Sequence, residues 1–355
     1  MADKKNNGKT GKTFKHGTII NVISSKGGVG TTTIAVNLAV SLAAEENSPS
    51  VALIDMNLLF GDIPLFLEIE PKYNWSEITK NISRLDDNFL KNILSVDASG
   101  VSVLPSPGYV NDPDEETPEI MSHLIVLMQR VFDFIIIDGG HPLDDLSLKI
   151  LELSDIALLV TVLTPPCILN TQKLLKTFRD LGFPLDDNIK IVINRYLKNS
   201  NISLSEAEAS FEKEIFWNIP NDYQTTVNAI NEGQALAQFA PGEAITKNFK
   251  KFAEKLRAES EKADPALCSY RRMIKKTPNF GKYIYQKDSL SINRRRRQSD
   301  VAQHDAASKD RRRKMRDGII IVGHDRRLNN NPDYNGPEKR SGIDRRSGKE
   351  RREKE

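Results

Sequence analysis

The sequence predicts an α/β fold, a mostly parallel, doubly wound sheet with helices on both faces, followed by a disordered basic C-terminal tail. Three observations carry this reading. Short apolar runs rich in Val and Ile recur through the first 262 residues, as TIINVIS, VALID, VSVLP, FIIID, IALLVTV and IKIVIN. Between them, apolar side chains fall at helical spacing, for example Leu124, Leu127 and Met128, or Leu174, Leu175 and Phe178. After Lys262 the aromatic and branched residues thin out and charge blocks replace them.

Taken in order, residues 1–16 form a flexible basic lead-in, rich in Gly, Lys and Asn and with nothing to bury. The string GKTGKT at Gly8–Thr13 imitates the end of a phosphate loop, but Asp3 or Asn6 stands where the first glycine is needed and no strand precedes it. Residues 17–262 are one globular domain. Its strand candidates alternate with amphipathic stretches, and its last helix carries Phe249, Phe252, Ala253 and Leu256 on one face, the pattern of a helix packed into the core. Residues 263–355 form the basic, largely disordered tail, with blocks at Arg294–Arg297 and Arg311–Lys314 and a short RSGxxR repeat at Arg340–Arg345 and Arg346–Arg351. Within it, GIIIVG at Gly318–Gly323 is the one strand or docking candidate.

Charge separates the two parts. The whole chain has 51 Lys and Arg against 48 Asp and Glu; the first 264 residues hold 25 and 36 of these, and the rest hold 26 and 12. An acidic domain thus bears a basic arm. The two cysteines, Cys167 and Cys268, are too few for a disulfide framework, a four-Cys zinc site or a Cys-ligated iron–sulfur cluster within one chain, and a reducing, cytoplasmic setting fits. Five scattered His show no zinc spacing, and no G-x-S-x-G elbow occurs. No apolar run approaches the ~20 residues of a bilayer crossing.

The segment richest in chemistry is SSKGGVGTTT at Ser24–Thr33, directly after the strand TIINVI and directly before the helix IAVNLAVSLAA. Glycines there allow successive amides to turn inward around an anion, and the following helix adds its positive end. Ser25, Lys26, Gly27, Gly28, Val29, Gly30, Thr31, Thr32 and Thr33 are the candidate phosphate-binding residues, with the Thr32 hydroxyl placed for Mg²⁺. The expected domain is a P-loop NTPase. Against G-x-x-x-x-G-K-[ST], Ser25 replaces the first Gly and Thr31 replaces the Lys.

Lys26 before the double glycine resembles the deviant Walker-A ATPases, the MinD and ParA family, in which this lysine reaches the partner's phosphates across a dimer interface. The resemblance implies that Asp55, ending VALID, and Asp138, ending FIIID, support Mg²⁺ together with Thr32. It assigns catalytic roles to Lys26 and Asp55. It also implies base contacts from Asn194 and Arg195, at the end of IKIVIN, and from Pro220 and Asn221 in IPND.

Several further stretches resemble the CpaE/TadZ branch, which serves tight-adherence (Flp, type IVb) pili. They are LIDMNLLFGDIPLFLEIEPKYNWSEI, RLDDNFL, VSVLPSP, INRYLKNSNISLSEAE and FWNIPNDYQTTVNAINEGQAL. The implied protein binds ATP and Mg²⁺, forms a homodimer in the ATP state, and works with a pilus secretion ATPase and inner-membrane platform proteins. Its expected place is the cytoplasm, peripheral at the inner membrane or a cell pole. Slow or absent hydrolysis is expected, since Thr31 cannot supply a charge and Asn57 stands where the family's second acidic residue helps to position water. The alternative is a ParA- or MinD-like partition or positioning ATPase whose basic tail contacts DNA or an anionic membrane surface.

Overall fold

The computed structural model describes residues 16–57, 61–80, 87–107, 117–140 and 144–262. GKTGKT, GIIIVG, the arginine blocks and the repeat lie outside these residues.

Eight strands form one sheet: β1 (Thr18–Ser24), β2 (Val51–Asp55), β3 (Ser95–Val96), β4 (Ser102–Leu104), β5 (Phe134–Gly140), β6 (Ile156–Thr161), β7 (Ile189–Tyr196) and β8 (Ile215–Pro220). Their spatial order is β3-β4-β2-β5-β1-β6-β7-β8, and only the edge pair β3–β4 is antiparallel. Every residue of β2 and β6 is buried, which explains their unbroken apolar runs: helices cover both faces, so neither side is left to polar residues.

On one face, Ile20 and Val22 of β1, Leu53 of β2 and Leu158 of β6 pack against α1 (Thr31–Ala43) and α11 (Ala244–Lys262). The shorter helices α2 (Ile63–Phe66), α9 (Tyr223–Asn231) and α10 (Leu236–Phe239) complete this layer. The expected core face of α11 is realised, with Phe249, Phe252, Ala253 and Leu256 all buried. Trp217 of β8 stacks on Phe252, with centroids 5.5 Å apart and planes 9° from parallel. Helix α1 is buried along its length from Ile34 to Leu42, polar Asn37 and Ser41 included. Asn37 accepts from the Leu236 amide at 2.8 Å and so ties α1 to α10. Just past α1, Glu45 is paired with Arg257 of α11.

The opposite face holds α3 (Trp75–Lys80), α4 (Asp87–Ile93), α5 (Thr117–Met128) and α6 (Asp145–Leu153) over β2 and β5. Over β6 and β7 lie α7 (Pro165–Leu181) and α8 (Leu204–Phe211). Phe178 of α7 and Phe211 of α8 anchor this half. Local signals set several helix ends. Asp144 caps α6 through the Ser147 amide, Ser203 and Glu206 form a capping box on α8, and Gly182 ends α7.

Six strands coincide with the apolar runs of the sequence. The other two, β3 and β8, carry no such signature. β3 has only two residues, and β8 is a mostly half-buried edge strand, IFWNIP, whose closing Pro220 is tolerated there because no further strand needs its missing amide.

Candidate functional site

The Ser24–Thr33 loop lies at the carboxyl end of β1, between β5 and β6. The chain first builds outward on one side of β1 and then on the other, so the loop occupies the switch point of the sheet. Gly30 caps α1 with φ 100°, a left-handed backbone natural to glycine, and a β-carbon there would collide with Asn194 Nδ2. No side chain caps α1 and no acidic residue enters its first turn, so its leading amides and positive end remain available to an anion. Lys26, Gly27 and Gly28 are exposed, whereas Val29 is buried and anchors the turn.

Two braces hold the loop. On one side Ser25 Oγ is 3.0 Å from Thr171 Oγ1 of α7, and Thr171 donates to Thr161 Oγ1 of β6, also at 3.0 Å. On the other, Asn194 Nδ2 donates to the Val29 carbonyl at 2.8 Å and Arg195 Nη2 donates to the Gly28 carbonyl at 3.1 Å. Arg195 has φ 53°, and its own amide donates to Asn194 Oδ1.

Asp55 and Asp138 are in register on neighbouring strands and almost wholly buried. Thr32 Oγ1 donates to Asp138 Oδ2 at 2.6 Å, while Asp138 Oδ1 is buried without a hydrogen-bond partner. Asp55 accepts from the amides of Asn57 (3.0 Å) and Ile63 (3.3 Å). Burial first, and the Asp138 charge next, push Asp55 up to about 7; burial pushes Asp138 up to about 6, against the Thr32 hydrogen bond. Asp62, at the start of α2, raises both. Its neighbour Gly61 allows the close approach, because a β-carbon there would stand 2.6 Å from Ser106 Oγ.

Two buried carboxylates whose negative charge is disfavoured, an orphaned oxygen and a hydroxyl fit a hard divalent cation. Thr32 and Asp138 would hold Mg²⁺, with Asp55 behind them, and the ion would neutralise phosphate charge. Among the described residues no group of three or more His, Cys, Asp or Glu forms a metal cage by itself. Mg²⁺ typically needs none, since it retains waters and takes phosphate oxygens as ligands.

Beside the loop is a cleft of about 100 Å³, bounded by Gly30 and Thr33, by Asn194 and Arg195, and by β8 and α9. Pro220, Asn221, Tyr223 and Phe249 line it, and the Tyr223 ring is largely exposed at its mouth. Phosphates on the loop would place an attached base against this cleft.

A family model described as an AAA domain matches residues 17–191. The septum site-determining protein MinD of Thermotoga maritima is 26% identical over 257 residues, covering 68% of this chain and 89% of that protein. The ParA family ATPase of Chlorobium tepidum superposes with a TM-score of 0.61 at 27% identity, over 68% of this chain and 99% of the other. The chain is similar to the MinD and ParA ATPases and has their P-loop fold. A third relative, MinD of Pyrococcus horikoshii complexed with Mg-ADP, shares the fold with a TM-score of 0.57 at 23% identity, over 70% and 99% of the two chains.

Within this MinD/ParA frame, every candidate site residue falls at one end of the sheet. The loop residues, Asp55 and Asp138 surround its carboxyl edge, and Asn194, Arg195, Pro220 and Asn221 border the adjoining cleft. Asn194 also has a role that sequence reasoning missed, since its amide braces Val29. Thr171, Thr161, Asp62 and Tyr223 were missed entirely. Thr161 lay in the run IALLVTV, Asp62 in LIDMNLLFGDIPLFLEIEPKYNWSEI and Tyr223 in FWNIPNDYQTTVNAINEGQAL, whereas Thr171 meets Ser25 across 146 residues.

Proposed function

We propose that this protein is an ATP-binding nucleotide switch that dimerises in the ATP state, turns ATP over slowly or not at all, and assists the placement and assembly of a tight-adherence (Flp, type IVb) pilus machine. The observation that carries the switch is the loop itself. It combines an exposed Lys26, open α1 amides and the Thr32–Asp138–Asp55 set, yet has Thr31 where a phosphate-clamping lysine belongs. Binding survives such a loss better than hydrolysis, because transition-state charge stabilisation is the protein's main contribution to phosphoryl transfer. Lys26 is exposed, and the MinD/ParA resemblance would have it reach the phosphates of a second copy.

The pilus assignment rests on the CpaE/TadZ-like stretches flanking the site, INRYLKNSNISLSEAE and FWNIPNDYQTTVNAINEGQAL above all. The partners would be the secretion ATPase and the inner-membrane platform. No helix among the described residues is long and apolar enough to cross a membrane, so attachment there would be peripheral. Calorimetry with Mg-ATP, and gel filtration with and without a slowly hydrolysed ATP analogue, test the switch. Absence of ATP binding, or a mass that ignores the analogue, overturns it. Co-purification with the secretion ATPase tests the pilus role.

A second reading is a partition or positioning ATPase, favoured by the excess of basic residues after position 264. Salt-sensitive DNA retention by the full chain, lost when that segment is removed, would decide for it.

A further inference from the structure

Thr31 leaves the loop without the cation that a P-loop ordinarily carries in cis, and Lys26 is expected to serve a partner. Arg195 is the cation whose contact with the loop is visible: its guanidinium is exposed at the rim and bonded to the Gly28 carbonyl. We propose that Arg195 is a phosphate-binding residue of this nucleotide site and supplies in cis the charge that Thr31 lacks. The proposal rests on the ATP-binding reading and replaces the base contact that resemblance implies for this position with a phosphate contact.

The backbone is the first support. Arg195 sits at φ 53°, a left-handed conformation that glycine accepts freely and that side chains adopt at a cost. The Asn194 side chain holds it there, accepting the Arg195 amide through Oδ1 while Nδ2 grips Val29. Asn194 and Arg195 thus seize two consecutive loop carbonyls, Val29 and Gly28. A bent chain at the end of β7 turns the arginine back over the loop instead of outward to solvent.

Its present partner is the second support. A neutral carbonyl is a poor match for a guanidinium, and among the described residues Arg195 has no carboxylate partner. A phosphate oxygen is a stronger acceptor and can be held by two parallel N–H groups. Arriving phosphates would therefore draw the guanidinium from Gly28 at little loss. Asp55, Asp138 and Asp62 stand on the side of the sheet beyond β1, so the cation is placed opposite the acidic wall of the site.

The test is calorimetric titration of the full chain with Mg-ATP and, separately, with adenosine. Arg195→Ala is expected to weaken ATP about 10-fold or more, the loss typical of one charge-assisted hydrogen bond, and to leave adenosine unchanged. Adding Thr31→Lys to Arg195→Ala is expected to restore ATP affinity, and Arg195→Lys to retain part of it. Parental ATP affinity in Arg195→Ala overturns the proposal. So does an equal loss for ATP and adenosine, which marks a base contact or a folding role, and so does failure of Thr31→Lys to rescue a double variant that melts at the parental temperature. A parent that binds neither ligand overturns the nucleotide reading as well, so the two failures are distinguishable.

Discussion

Ser25 donates its hydroxyl hydrogen to Thr171, because the single hydrogen of Thr171 is already committed to Thr161. The direction of this chain fixes Ser25, the residue before Lys26, to a wholly buried side chain of α7. The substitution of serine for the usual glycine is therefore a gain of attachment between the loop and a helix of the opposite layer.

Thr171→Val should remove both hydrogen bonds and leave Thr161 and Ser25 short of a partner. A loss of about 1–3 kcal/mol is expected in urea unfolding, with weaker ATP binding. Thr171→Ser, which keeps the hydroxyl, should recover most of the binding. A larger loss in Ser than in Val would show that the methyl packing matters and the hydroxyl does not.

Gly30→Ala should fold with parental circular dichroism yet bind ATP poorly. Its left-handed backbone costs a side chain about 1–3 kcal/mol, and the added methyl strikes Asn194, so the loop must open to relieve both. Calorimetry reads the loss. Unchanged affinity would mean that the loop geometry is not what receives the phosphates.

The raised carboxyls make a prediction with a definite sign. Asp55 and Asp138 titrate near 7 and 6 in the folded protein and near 3.8 when unfolded, so across that interval the folded state binds more protons. Their contribution to stability therefore declines as pH rises from about 4 to about 7. Asp55→Asn removes most of this penalty. The ligand-free variant should exceed the parent in melting temperature by a margin that widens from about pH 5 to about pH 7.5, and Mg²⁺ with ATP should narrow it by stabilising only the parent. Parallel melting curves across that range would refute the burial effect.

Phosphate release by the parent should stay far below roughly 10 s⁻¹, a median enzyme turnover. Thr31→Lys should tighten ATP more than it speeds hydrolysis, since Asn57 can hydrogen-bond a water but cannot take its proton at neutral pH. Thr31→Lys combined with Asn57→Asp should raise the rate beyond either change alone. A fast parent would sink the eroded-site account.

The strands and the loop were legible because their signals are local. A buried parallel strand must be apolar on both faces, which VALID and IALLVT display, and a phosphate loop must join a strand to a helix through glycines. Asp55 and Asp138 were legible through family resemblance, by their places at strand ends. What sequence could not display are contacts without periodicity. Thr171 is a polar residue in an amphipathic helix until the fold brings it to Ser25, and Asn37 resembles any helical asparagine until Leu236 arrives. The left-handed turn of Arg195 has no glycine to announce it, and β8 is a strand only because β7 and α11 supply its neighbours.

Helix α1 begins in the phosphate loop and is enclosed on every side, with Asn37 fastened to α10 and Glu45 beyond its end fastened to Arg257. A close-packed interior passes displacement on instead of absorbing it. Helix α1 would therefore transmit to α11, which packs along it, any shift imposed at the loop. The last turn of α11 ends at Lys262, so a displacement of α1 would be passed toward the end of the domain that precedes the basic segment.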